Sequence, residues 1–177
     1  MQMMAPEDRR AQILDKLADH VLAHGLSASS LRPLAKAAAT SDRMLLYYFA
    51  DKGELISAVL QHIAGRMVTL MEAAATPEPL PYDALLARLF AALSDPGFAP
   101  YMRVFLEVAS GAANGDAALA QIGETIGRGF LDWGKAQLQS DTPDADAARL
   151  LVTLEGTVFL RAIGMGDVCQ TALGPTG

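Results

Sequence analysis

The chain has 177 residues, 51% of them hydrophobic and 19% charged, and a formal net charge of −6. This composition excludes a disordered chain, and the length suffices for one substantial core or for a small domain joined to a larger one. One cysteine, Cys169, excludes an internal disulfide framework and a multi-cysteine zinc site, and no apolar run is long enough to span a bilayer.

Alanine is frequent and β-branched residues are few, which favours helix. Residues 6–24 place apolar side chains at 13, 14, 17, 21 and 22, one helical stripe. Pro6, Glu7 and Asp8 suit its start and Gly25 its end. Ser30 can cap a second helix, "LRPLAKAA", with Pro33 in its first turn. After a turn at Ala39-Thr40, Ser41 can cap a third helix over about 42–49. Asp51 and Glu54 form a capping-box pattern for a fourth helix reaching about residue 75. "TPEPLP", 76–81, is a break, because its three prolines cannot all continue a helix. Beyond it, helices are predicted near 82–94, 98–112, 116–139 and 144–163, with a short turn at 167–172. No segment alternates with period two, and no internal repeat is present. The reading is an all-α protein of roughly eight helices.

Helices two and three are short and joined by about three residues, which is helix-turn-helix spacing. In such a unit the second helix enters the major groove of DNA and the first crosses the backbone. Arg43 and Tyr47 fall at i and i+4 on one face, while Leu45 and Phe49 fall on another and can anchor the helix. The charge is uneven in the same sense. Residues 1–66 carry eight Lys/Arg against seven Asp/Glu, whereas residues 67–177 carry six against thirteen. Only the first third is suited to approach phosphate.

Residues 10–55 resemble the DNA-binding domain of the TetR family of transcriptional regulators. The resemblance is carried by Arg10, Ile13, Leu14 and Gly25, then Ser30, Leu31, Arg32, Leu34, Ala35 and Ala38, then Ser41, Leu45, Phe49, Lys52 and Leu55. It implies a three-helix DNA-binding domain over residues 1–52, followed by a helical ligand-binding and dimerisation domain over residues 53–177. It implies a ligand-responsive regulator, a repressor on a palindromic operator, bound as a homodimer and released by a small molecule. The alternative is a helical small-molecule or protein-interaction module that no longer binds DNA.

By similarity, Lys52 reaches a phosphate. Ser30, Arg32, Lys36, Thr40, Ser41 and Tyr48 are candidate backbone contacts, and Asp42 opens the recognition helix. Arg43 is the candidate base reader, because Arg matches guanine O6 and N7. Two positions depart from the family pattern. Ala39 stands where the family usually has Gly, and since Ala in a left-handed conformation costs about 1 kcal/mol, a somewhat different turn is expected. Leu46 stands where the family's DNA-touching Tyr would be, so the aromatic contact falls to Tyr47 or Tyr48, with Tyr47 preferred because it shares a face with Arg43.

For the C-terminal domain the candidate ligand contacts are Phe90, Phe98, Tyr101, Met102, Phe105, Phe130, Trp133 and Phe159. With few polar groups among them, an apolar or aromatic effector is expected. Arg103 and Glu107, at i and i+4, are expected to form a surface pair. The helices near 116–139 and 144–163 are the implied dimer contact; their Gly123, Gly127, Ala136, Ala147, Ala148 and Gly156 permit close helix approach but equally suit packing within one subunit. His20 and His24 lack a third ligand in register, so no metal is expected, and His24 is expected to act on the end of helix one. Cys169 is expected to be inert. No catalytic motif occurs, so neither an enzyme nor a cofactor is expected. The N-terminal "APEDRRAQ" has no apolar signal core, and a cytoplasmic location is expected.

Overall fold

The computed structural model describes residues 6–73 and 78–174. The start of the proline break, Thr76 and Pro77, and the last expected turn of the fourth helix, 74–75, lie outside them. Among the described residues the named elements are nine α-helices and one short 3-10 turn. They run α1 (Pro6–His24), α2 (Leu31–Ala37), α3 (Asp42–Tyr48), α4 (Lys52–Ala73), α5 (Tyr82–Ser94), a 3-10 turn (Pro96–Phe98), α6 (Ala99–Ala113), α7 (Ala117–Gln137), α8 (Pro143–Ala162) and α9 (Gly166–Leu173). The segment at 167–172, expected as a turn, is the eight-residue helix α9. Backbone bonds from Leu80 N–H to the Gln137 carbonyl and from Gln139 N–H to the Leu80 carbonyl, both 2.8 Å, make an isolated bridge.

The chain forms two compact units. One comprises residues 1–67 and 103–124, the other residues 68–102 and 125–177. The first unit is built on the apolar stripe of α1, whose Ile13, Leu14, Leu17, Ala18 and Val21 are all buried. Leu34 and Ala35 of α2, Leu45 of α3, Phe49 after it, and Leu55, Val59, Leu60 and Ile63 of α4 are buried in the same unit. Each fully buried Leu, Ile or Phe contributes about 1.5–3 kcal/mol, which is how two seven-residue helices, too short to be stable alone, are held.

The helix ends of this unit are capped by the residues the sequence offers. Ser41 Oγ accepts from Met44 N–H at 3.2 Å, and Asp51 Oδ1 accepts from Glu54 N–H at 2.8 Å. Glu54 reaches back past the cap to accept from Ala50 N–H at 2.6 Å, a variant of the expected capping box, in which the N-cap N–H of Asp51 would be the donor. Ser30 occupies the N-cap of α2 without a side-chain bond. His24 Nδ1 lies 3.0 Å from the His20 carbonyl, as expected for a group acting on the end of α1. Arg103 and Glu107 do not form the expected i, i+4 pair as their contact. Arg103 donates to the Leu22 carbonyl, and Ser27 N–H donates to Glu107 at 2.9 Å. The free carbonyls of the last turn of α1 attract the cation, and the loop after it supplies an N–H for the carboxylate.

In the second unit Leu85 and Leu89 of α5, Leu138, and Ala147 and Leu150 of α8 form a buried cluster, with Tyr82, Leu131, Trp133 and Leu154 packed against it. Arg149 lies 3.8 Å over the Tyr82 ring. Lys135 pairs with Asp144, and Arg161 donates to Ser94 Oγ at 2.9 Å while covering the Phe90 ring.

Candidate nucleic-acid interface

The turn between α2 and α3 fixes how the recognition helix is presented. Thr40 N–H donates to the Ala35 carbonyl at 2.9 Å and Ala39 N–H donates to the Lys36 carbonyl at 3.1 Å. This is the paired bonding of a Schellman close, with Ala39 as the left-handed residue at φ +52°. The turn was expected to differ because Ala replaces Gly. Instead the left-handed geometry is kept and Ala39 carries the strain. It is the one positive-φ residue other than glycine among the described residues.

From that turn α3 runs with about 100° per residue. Leu45 (0% exposed) and the following Phe49 (1%) face inward, and the Arg10 guanidinium lies 4.7 Å over the Phe49 ring. Asp42, Leu46, Arg43, Tyr47 and Met44, in that angular order, make a continuous outward arc, and all five are exposed. Tyr47 is 75% exposed, whereas Tyr48 sits half-buried at the arc's edge, its ring meeting that of Tyr47 edge-on at 5.2 Å.

The remaining candidate contacts surround this arc in sequence. Ser30 opens α2, Arg32 and Lys36 are exposed along it, Thr40 is half-buried in the turn, Ser41 caps α3 and Lys52 opens α4. None of Arg32, Lys36, Arg43 and Lys52 has an anionic partner among the described residues. Nearby cations that serve the fold do. Arg66 binds Asp15 and Asp19, both at 2.7 Å, and so ties α4 to α1. Hydrogen bonds from Arg66 and then from His62 hold the Asp15 carboxyl below the usual carboxylate range. Lys52 also walls an open cavity of about 300 Å³ with Leu26, Ile56 and Leu119.

The candidate effector residues are spread over both units. Phe105 belongs to the first, the other seven to the second. Phe90 and Phe98 are buried, Tyr101, Met102, Phe105, Phe130 and Trp133 are half-buried, and Phe159 is 54% exposed. Phe98 and Tyr101 meet at 6.3 Å between ring centroids. The Trp133 indole Nε1 is buried without a hydrogen-bond partner among the described residues, a condition that ordinarily costs free energy. Two features of this chain escaped sequence reasoning. Met44 and Leu46 join the outward arc, and the register set by the Ser41 cap was the available signal. Glu155, in the run "LLVTLEGTVFL", is largely buried, and burial raises its carboxyl to about 7; a lone acid amid apolar residues was the available signal.

The capped pair of short helices, with Arg43 and Tyr47 facing outward, is a helix-turn-helix unit. Residues 13–59 match the family model of the bacterial regulatory proteins of the tetR family. The whole-chain fold agrees. A TetR-family transcriptional regulator from Rhodococcus superposes with a TM-score of 0.72 at 17% identity, covering 94% of this chain and 95% of that one. GusR of Salmonella enterica gives 0.67 at 16% identity, with 99% and 98% covered. The multidrug binding protein EbrR, complexed with imidazole, gives 0.62 at 23% identity, with 98% and 93% covered. A comparison with curated proteins gives no match. Among the described residues no helix is long and apolar enough to cross a membrane.

Proposed function

We propose that the protein is a homodimeric, ligand-responsive repressor whose DNA-binding domain spans about residues 1–52 and whose effector and dimerisation domain spans residues 53–177. The observation that carries this reading is the outward arc of α3, with Arg43 and Tyr47 at its centre and Leu45 and Phe49 anchoring it from behind. Arg43 reads guanine through O6 and N7. Tyr47, far more exposed than Tyr48, makes the main aromatic contact. Ser30, Arg32, Lys36, Thr40, Ser41, Tyr48 and Lys52 hold the phosphates, and Asp42 opens the helix that enters the groove.

Dimerisation through α7 and α8 is supported by an apolar face on α8. Val152 (72% exposed), Phe159 (54%) and the following Ile163 (55%) lie along it, with the small Ala148 one turn before Val152 and Gly156 between Val152 and Phe159. A contiguous exposed apolar surface of this kind marks an interface. Twofold pairing places two recognition helices on half-sites about one helical turn apart, hence a palindromic operator. An apolar or aromatic effector carrying a hydrogen-bond acceptor suits the second unit, where it would satisfy the Trp133 N–H. The binding of small molecules by EbrR, a relative in fold, is in keeping with this. An effector weakens DNA binding only by its preference for one dimer shape over the other.

The test is selection of sequences from a random double-stranded library, followed by affinity measurements over a salt series. Recovery of an inverted repeat, with an affinity that falls steeply with salt and collapses for Arg43→Ala, supports the reading. Recovery of no consensus sequence refutes it.

A further inference from the structure

Three of the five side chains on the outward arc of α3 are apolar. Met44 is 41% exposed, Leu46 44% and Tyr47 75%. A lone exposed Leu on a soluble protein needs no explanation, but Leu46 stands on a seven-residue helix beside Arg43, and α3 has already buried Leu45 for its anchorage. The Leu46 side chain has no donor or acceptor. Seated in a major groove, it would strip water from base-edge nitrogens and oxygens without returning a hydrogen bond, which is unfavourable. Among the groups that a base edge presents there, one is apolar, the 5-methyl of thymine.

We propose that Leu46 is a specificity-determining residue that reads a thymine 5-methyl group in the operator half-site, next to the guanine read by Arg43; this rests on the DNA-binding function proposed above. The register supports the pairing of the two bases. Leu46 lies about 60° from Arg43 around α3, on the side opposite Tyr47, and about 4.5 Å further along the axis. That rise is close to the roughly 3.4 Å spacing of successive bases along a strand, so the two side chains reach neighbouring base pairs. Arg43 supplies the polar discrimination and Leu46 the apolar one.

The experiment uses the full chain and the duplex recovered by selection. Each thymine of one half-site is replaced in turn by deoxyuridine, which removes the methyl and keeps every hydrogen bond. Affinities of the native protein and of Leu46→Ala are measured by fluorescence anisotropy at one salt concentration. Burial of one methyl corresponds to about fourfold in affinity. The expected result is that one replacement beside the conserved guanine weakens the native protein about fourfold and leaves Leu46→Ala unchanged. Leu46 is exposed, so this variant keeps the native unfolding midpoint. If no replacement alters the native affinity beyond twofold while sequence-specific binding persists, the inference fails and the DNA-binding function stands. If a replacement weakens both proteins equally, another side chain reads the methyl and the assignment to Leu46 is refuted. Absence of any sequence-specific binding overturns both.

Discussion

Replacing Ala39 by glycine is expected to stabilise the protein, against the usual effect of introducing glycine. Ala39 closes α2 at φ +52°, and it holds the left-handed position of a Schellman close. The same pair of bonds closes α6 at Gly115 (φ +93°) and α8 at Gly164 (φ +88°), in both cases with glycine. A side chain bearing Cβ in this conformation costs about 1–2 kcal/mol. Against that gain stands the larger freedom of glycine in the unfolded chain, about 0.4–1 kcal/mol. The net expectation for Ala39→Gly is a stabilisation of about 0.5–1 kcal/mol. Neighbouring Ala38 is the control. It is 1% exposed, with φ −76° in the right-handed region, so glycine there relieves nothing. Ala38→Gly loses a buried methyl, about 0.8 kcal/mol, and adds the same unfolded-state freedom, for a destabilisation of about 1–2 kcal/mol. Urea unfolding followed by circular dichroism at pH 7 separates the two. The midpoint should rise for Ala39→Gly and fall for Ala38→Gly, with unchanged slopes. Equal destabilisation by both variants would refute the claim that Ala39 stores strain.

Glu155 gives a pH-dependent expectation. Burial raises its carboxyl from 4.5 to about 7, so the folded state holds the proton more tightly than the unfolded one. Its contribution to stability is then fully present below about pH 4.5 and lost as pH rises through 7. Glu155→Gln should match the native protein near pH 4 and exceed its stability at pH 8 by roughly 1–3 kcal/mol; urea midpoints that differ by the same amount at both pH values would sink this. Phe49→Ala removes a side chain that is 1% exposed and that carries the Arg10 guanidinium. It should cost about 3–5 kcal/mol, and a fall in the urea midpoint worth less than 1 kcal/mol would contradict the role of Phe49 as the anchor of α3.

Much of the fold was legible because it is written in local chemistry. The stripe at 13, 14, 17 and 21, the caps at Ser41 and Asp51, and the closing Gly25 each act within a few residues, so the helix bounds follow from nearest neighbours. The placement of Arg43 and Tyr47 against Leu45 and Phe49 followed from helical geometry alone once Ser41 set the register. Arg103 and Glu107 were not legible in this way. Their spacing suggested a mutual pair, whereas the free carbonyl of Leu22 and the N–H of Ser27, some eighty residues earlier, compete more effectively for them. The candidate effector residues were less legible still, since an aromatic at helical spacing reads alike whether it ends buried, as Phe90, or exposed, as Phe159.

The sequence by itself determined an all-helical chain with a helix-turn-helix unit near its start, because hydrophobic periodicity, capping and turn residues are short-range instructions. The tertiary structure alone decided three things. Ala39 keeps a glycine's backbone, because the turn is closed on both sides by hydrogen bonds and by the buried Leu34 and Leu45. Tyr47 rather than Tyr48 stands clear of the fold, because packing of the unit covers the inner edge of α3. Glu155 is pressed toward neutrality, because burial in the folded chain strips water from its carboxyl. Burial is a property of the assembled chain, and each of these outcomes turns on it.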